Sequence, residues 1–101
     1  MISHEPQRER FPLGRVVATA GLLAQVSAEE VSSALARHAR GDWGEVCEED
    51  LAANEEAMKH GDRLLSAYSL PLATDASSTV RIYVITEADR SVTTALLCEE
   101  Y

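Results

Sequence analysis

Val80-Arg81-Ile82-Tyr83-Val84-Ile85-Thr86 and Ser91-Val92-Thr93-Thr94-Ala95-Leu96-Leu97, joined by Glu87-Ala88-Asp89-Arg90, decide the fold of this chain. Both runs are rich in β-branched, aromatic and aliphatic residues, which fit a pleated, half-buried surface. The four-residue connector has the length of a tight hairpin, so the two runs are expected as antiparallel neighbours. Upstream, Arg63-Leu64-Leu65-Ser66-Ala67-Tyr68-Ser69-Leu70 has the same character and supplies a third strand. The link from Pro71 to Thr79 is small and polar and reads as a mobile surface loop without a function.

Helical signals precede this meander. Ser27-Ala28-Glu29-Glu30 is a start signal: Ser27 can cap and Glu30 can bond back to it. Ala28, Val31, Ala34, Leu35, His38 and Ala39 then fall on one stripe, acids come early and arginines late, and Gly41 closes the helix. A second helix runs from Glu48-Glu49-Asp50 to His60-Gly61. Its start is framed by a Val46/Leu51 staple around Cys47, and its inward stripe reads Leu51, Asn54, Met58. Asn54 is the polar member of that stripe, either bonding nearby backbone or reaching a ligand pocket. Before both helices, Arg15-Val16-Val17-Ala18-Thr19, bounded by Gly14 and Gly21, is a short strand, and Leu22 to Val26 a helical turn.

The expected fold class is therefore α+β: a short N-terminal strand, two helices and a three-stranded antiparallel β-meander, with the helices packed on one sheet face. Residues 1–12, with two prolines and no period, are expected as a flexible N-terminal tail, and residues 13–101 as a single α+β domain. Apolar side chains fall on both faces of the strands, so a homodimer is one way to cover the second face.

Composition bounds the function. The chain has 101 residues, with 9 Lys+Arg against 17 Asp+Glu and a formal charge of −8. That is the opposite of a phosphate-binding surface, so no direct nucleic-acid contact is expected. No apolar run approaches the roughly 20 residues of a bilayer span, and Met1-Ile2-Ser3-His4-Glu5-Pro6 lacks signal-peptide character, so a cytoplasmic protein is expected. Cys47 and Cys98 stand far apart without CxxC or Cys/His clustering, and reduced thiols are expected.

From Gly41 to Asp62 the chain holds eight acids against one base, Lys59. The window reads either as a solvated face or as a docking surface for a basic partner made of Asp42, Trp43, Glu45, Glu48, Glu49, Asp50, Glu55 and Glu56. Trp43, between two glycines, is either a lid on the core or an exposed anchor. Asp42, Glu45, Glu48 and Glu49 lack the ligand order of an EF-hand, so neither metal nor any other cofactor is expected. His38 on the apolar stripe is expected as a hydrogen-bonded residue at the core edge, and no spacing marks a catalytic set. Asn54, Arg63, Asp89 and Arg90 form a candidate polar pocket.

Several of these runs also carry a resemblance. Gly41-Asp42-Trp43-Gly44-Glu45-Val46, Glu49-Asp50, Asn54-Glu55, Arg63-Leu64-Leu65-Ser66-Ala67-Tyr68, Ile85-Thr86-Glu87-Ala88-Asp89-Arg90-Ser91 and Glu99-Glu100-Tyr101 resemble a family of small uncharacterised bacterial proteins, labelled plasmid-related or found on mobile elements and phage genomes. The resemblance covers roughly residues 11–101. It implies a mobile-element origin and brings no activity or catalytic residue. Cys98 departs from the pattern, which has proline there. The reading is a non-enzymatic protein-interaction module. The alternatives are a small-molecule-binding domain, or a toxin-like ribonuclease of RelE/ParE type, whose order of two helices before a meander is similar and for which Arg63, Arg81 and Arg90 are the basic candidates.

Overall fold

Short-range capping chemistry sets the helices, and strand pairing then joins both ends of the chain. The computed structural model describes residues 9–101. Strand β1 (Arg15–Ala18) is followed by helices α1 (Ala20–Gln25), α2 (Ala28–Ala39) and α3 (Glu48–His60), then by strands β2 (Leu64–Leu72), β3 (Asp75–Thr86) and β4 (Val92–Leu97) and a short 3-10 turn, Cys98–Glu100. The sheet order is β1-β4-β3-β2. β2, β3 and β4 form the antiparallel meander, while β1 lies parallel to β4. The sheet is therefore mixed, because the chain crosses the whole helical layer before β4 meets β1.

Ser27 caps α2 by accepting the Glu30 N–H at 3.3 Å. At the other end Gly41 (φ 85°) donates to the His38 carbonyl and Asp42 to that of Arg37, the paired bonds of a Schellman motif. Thr19 caps α1, so Gly21 lies inside that helix rather than bounding a strand.

The core face of the sheet carries Tyr68, Leu70, Ile82, Val84, Ala95 and Leu97, packed against Leu22 and Val26 near α1 and Val31 and Ala34 of α2. A second cluster joins Phe11, Trp43, Ala57 and Leu64 at the α3 end. Phe11 is buried there and the Arg10 N–H donates to the Ala39 carbonyl at 2.7 Å. The stretch 9–12, expected as part of the tail, is thus docked by its one aromatic ring; residues 1–8 of that tail lie outside the described residues.

Two further expectations change. The segment Pro71 to Thr79 is not a mobile loop, because β2 runs to Leu72 and β3 starts at Asp75, leaving only Ala73 and Thr74 in the turn. A register shift falls between Pro71 and Leu72, and the Asp75 carboxylate accepts from the Ser77 N–H, Ser77 hydroxyl and Ser78 hydroxyl. Those bonds satisfy the irregular stretch that small polar residues had suggested was unstructured. In α3, Leu51 is 48% exposed and the buried residues are Asn54 and Ala57. The helix presents a narrow face to the edge of β2, and Leu51 lies outside it, while Val46 packs against the second cluster.

On the second sheet face Ala67 and Ile85 are buried. The Tyr101 ring packs against Tyr83 at 5.5 Å, with the Arg63 guanidinium over it, so this end of the chain covers part of that face itself.

Candidate functional site

The acidic window divides into acids used internally and acids left free. The loop 41–47 is drawn along β2: the Ala67 N–H donates to the Trp43 carbonyl and the Glu45 N–H to that of Ala67, forming a one-residue parallel bridge at Gly44. Gly44 adopts φ 74°, and a Cβ there would collide with the Ala67 carbonyl and the Tyr68 ring. This close approach turns Trp43 inward.

Trp43 is 3% exposed, stacks on Phe11 at 6.0 Å and donates from its indole N–H to Glu55 at 2.9 Å. It is a lid on the core and not an exposed anchor, so it drops out of the docking surface. Glu55 is also gripped by both terminal nitrogens of Arg10. The Arg10 hydrogen bond, then that from Trp43, holds the Glu55 carboxyl below the usual carboxylate range. Asp42 pairs with Arg37 at 2.8 Å, which lowers its pKa chiefly through that hydrogen bond. Glu45 accepts from Ser69 and faces Arg81; Glu56 pairs with Lys59 and His60. Glu48, Glu49 and Asp50 are different. They form the exposed first turn of α3 and have no cationic partner among the described residues, next to the exposed Leu51.

The four residues of the candidate polar pocket do not converge on a cavity, and none opens among the described residues. Asn54 uses its whole carboxamide on the Leu65 backbone. Arg90 holds the end of α3: its guanidinium donates to the carbonyls of Asp62, Ala57, Glu87 and Ala88. It stands in the left-handed region (φ 62°) at the hairpin corner, where glycine is the usual choice. Asp89 accepts from the Ser91 N–H and hydroxyl, and Arg63 lies 3.9 Å from Glu87. Arg63, Arg81 and Arg90 are each engaged by an acid or by carbonyls and sit on different parts of the meander.

His38 lies on the apolar stripe and is hydrogen-bonded, as expected, but no motif spacing marks its partners. His38 is fully buried, its Nδ1 2.5 Å from the Ser66 hydroxyl and its Nε2 2.9 Å from that of Thr86. Thr86 lies 2.7 Å from Thr93, whose hydroxyl donates to the Leu13 carbonyl at 2.7 Å. One direction satisfies every member. Thr93 has given its proton to Leu13, so Thr86 donates to Thr93, Nε2–H of His38 donates to Thr86, and Ser66 donates to the bare Nδ1. Burial, and secondarily the positive charge of Arg90, pushes the His38 pKa down to about 4, consistent with a neutral ring. Ser66, Thr86 and Thr93 share the core face of the strands; polar residues at period two among Leu64, Tyr68, Val84 and Ala95 were the available signal.

Among the described residues no three His, Cys, Asp or Glu side chains gather as metal ligands. No helix there is long and apolar enough to cross a membrane. Comparison with protein-family models, curated proteins and solved structures returns no match to this chain.

Proposed function

We propose that this chain is a non-enzymatic protein-interaction module that docks a basic protein partner through the first turn of α3. One observation carries the reading. Among the described residues Glu48, Glu49 and Asp50 stay exposed and unpaired beside the apolar Leu51, while Asp42, Glu45, Glu55 and Glu56 each have a cationic partner in the chain. An acidic patch flanking an exposed leucine offers steering charge and apolar contact together. A cytoplasmic setting belongs to the same proposal, supported by the two unbridged cysteines, one of them exposed. The mobile-element setting rests on the sequence resemblance alone.

The test is retention of partners from a host lysate by the immobilised protein at about 0.1 M and about 0.5 M salt, since the screening length falls roughly twofold between them. A basic protein held at low salt, released at high salt and lost on combining Glu48→Lys, Glu49→Lys and Asp50→Lys is the expected result. Retention indifferent to these reversals would assign docking elsewhere, and no specific retention would return the patch to a solubilising role. Glu55 is left intact because its reversal would disturb Trp43 and Arg10.

A further inference from the structure

The two edges of the sheet are treated differently. β2 is covered over its first half, where the Asn54 carboxamide takes Leu65 and loop 43–45 takes Ala67. β1 is open. The N–H groups of Arg15 and Thr19 donate inward to the Ser91 and Ala95 carbonyls. By the two-residue alternation of a strand, the N–H and C=O groups of Val16 and Ala18 therefore point outward. α1 follows β1 and buries Leu22 in the core. Val16 is 45% and Val17 37% exposed, and the edge carries neither the lysine nor the proline that commonly blunts one.

Charge selects the occupant. Arg15, Val17 and Thr19 share the outer face of β1, and Arg15 has no ion pair among the described residues. At the other end the Thr19 hydroxyl donates to Glu100 Oε1, which also accepts the Leu97 N–H. Glu100 Oε2 makes no hydrogen bond among the described residues and faces the α1 start at Gly21. Among the described residues a cation without an ion pair thus stands at the start of β1, and the Glu100 carboxylate, held by Thr19, stands at its end, with a valine midway.

We propose that β1 pairs antiparallel with β1 of a second copy, centred on Val17, joining the two sheets into one. In this register Val17 faces Val17 of the second copy, and Val16 faces Ala18, so each outward N–H meets an outward C=O in four hydrogen bonds. Arg15 then stands opposite Thr19 and reaches the Glu100 carboxylate of the second copy, and the same pair recurs across the two-fold axis. The surface is self-complementary in hydrogen bonding, apolar contact and charge. It is separate from the acidic turn of α3.

Sedimentation equilibrium of the full chain tests the pairing. The expected mass rises with concentration from 11.0 kDa towards twice that value. Val17→Lys places like charges directly opposite on an exposed position, and its dissociation constant is expected to rise at least about tenfold with unchanged circular dichroism. The register is read by Val17→Cys in a Cys47→Ser, Cys98→Ser background, where copper-phenanthroline should cross-link two copies faster than it does Leu51→Cys in that background. A chain that stays monomeric throughout overturns the proposal and leaves the edge to a strand of another protein. A dimer indifferent to Val17→Lys, or cross-linking no faster at position 17 than at 51, overturns it equally.

Discussion

The side chain of Asn54 replaces a neighbouring strand for Leu65: its Nδ2 donates to the Leu65 carbonyl at 2.7 Å and its Oδ1 accepts the Leu65 N–H at 3.1 Å. A carboxamide matches the donor and acceptor of a peptide group, and α3 holds it with 3% exposure against the edge of β2. The helix is fixed to the sheet by polar pairing where its apolar face is narrow.

Removing that pairing leaves two backbone groups without partners. Asn54→Ala is expected to lower the urea-derived unfolding free energy by about 2 kcal/mol. Asn54→Asp keeps the acceptor but sets an anionic oxygen against the Leu65 carbonyl, so its loss at neutral pH should be at least as large. A loss below about 0.5 kcal/mol for both would show that water or another group closes this edge equally well.

His38 makes stability depend on pH in the acid direction. Its folded pKa of about 4 lies below the ordinary value of 6.5, so the unfolded chain binds the proton more readily between these values. The stabilisation is therefore complete above about pH 6.5 and is lost as pH falls towards 4. Between about pH 7.5 and about pH 5 the expected loss is about 2 kcal/mol, before the carboxylates Asp42 and Glu55 add their own losses lower down. The histidine Cε1 proton, followed by NMR, should titrate near the depressed value; an ordinary midpoint would contradict the buried Ser66–His38–Thr86 chain.

Two glycines in the same left-handed region separate conformational strain from collision. At Gly61 (φ 74°) a methyl group would project into open space, whereas at Gly44 (φ 74°) the Ala67 carbonyl and Tyr68 ring occupy its place. Gly61→Ala should cost about 1 kcal/mol, the backbone penalty alone. Gly44→Ala should cost clearly more and release Trp43, seen as a red shift of its fluorescence in the folded baseline. Equal losses without a spectral change would remove the bridge to Ala67 from the account of how Trp43 is held.

Much of the architecture is legible locally. Ser27, Glu30 and Gly41 mark α2, and the runs around Glu87–Arg90 mark a hairpin, because caps, periodicity and turns act within a few residues. Leu51 misleads since periodicity names a stripe without saying which neighbour it meets. Asp75, Ser77 and Ser78 mislead since loop-forming residues also close a bulge. The sequence by itself determined the α+β class, the order of helices before meander and the acidic balance. Only the tertiary structure decided that β1 joins β4 in parallel, that Thr93 reaches Leu13, that Trp43 faces inward, and that Glu48, Glu49 and Asp50 of the acidic window form an exposed turn without a cationic partner among the described residues. Those outcomes depend on partners tens of residues apart, chosen by burial and by the pairing of every enclosed polar group, and short-range spacing carries no record of them.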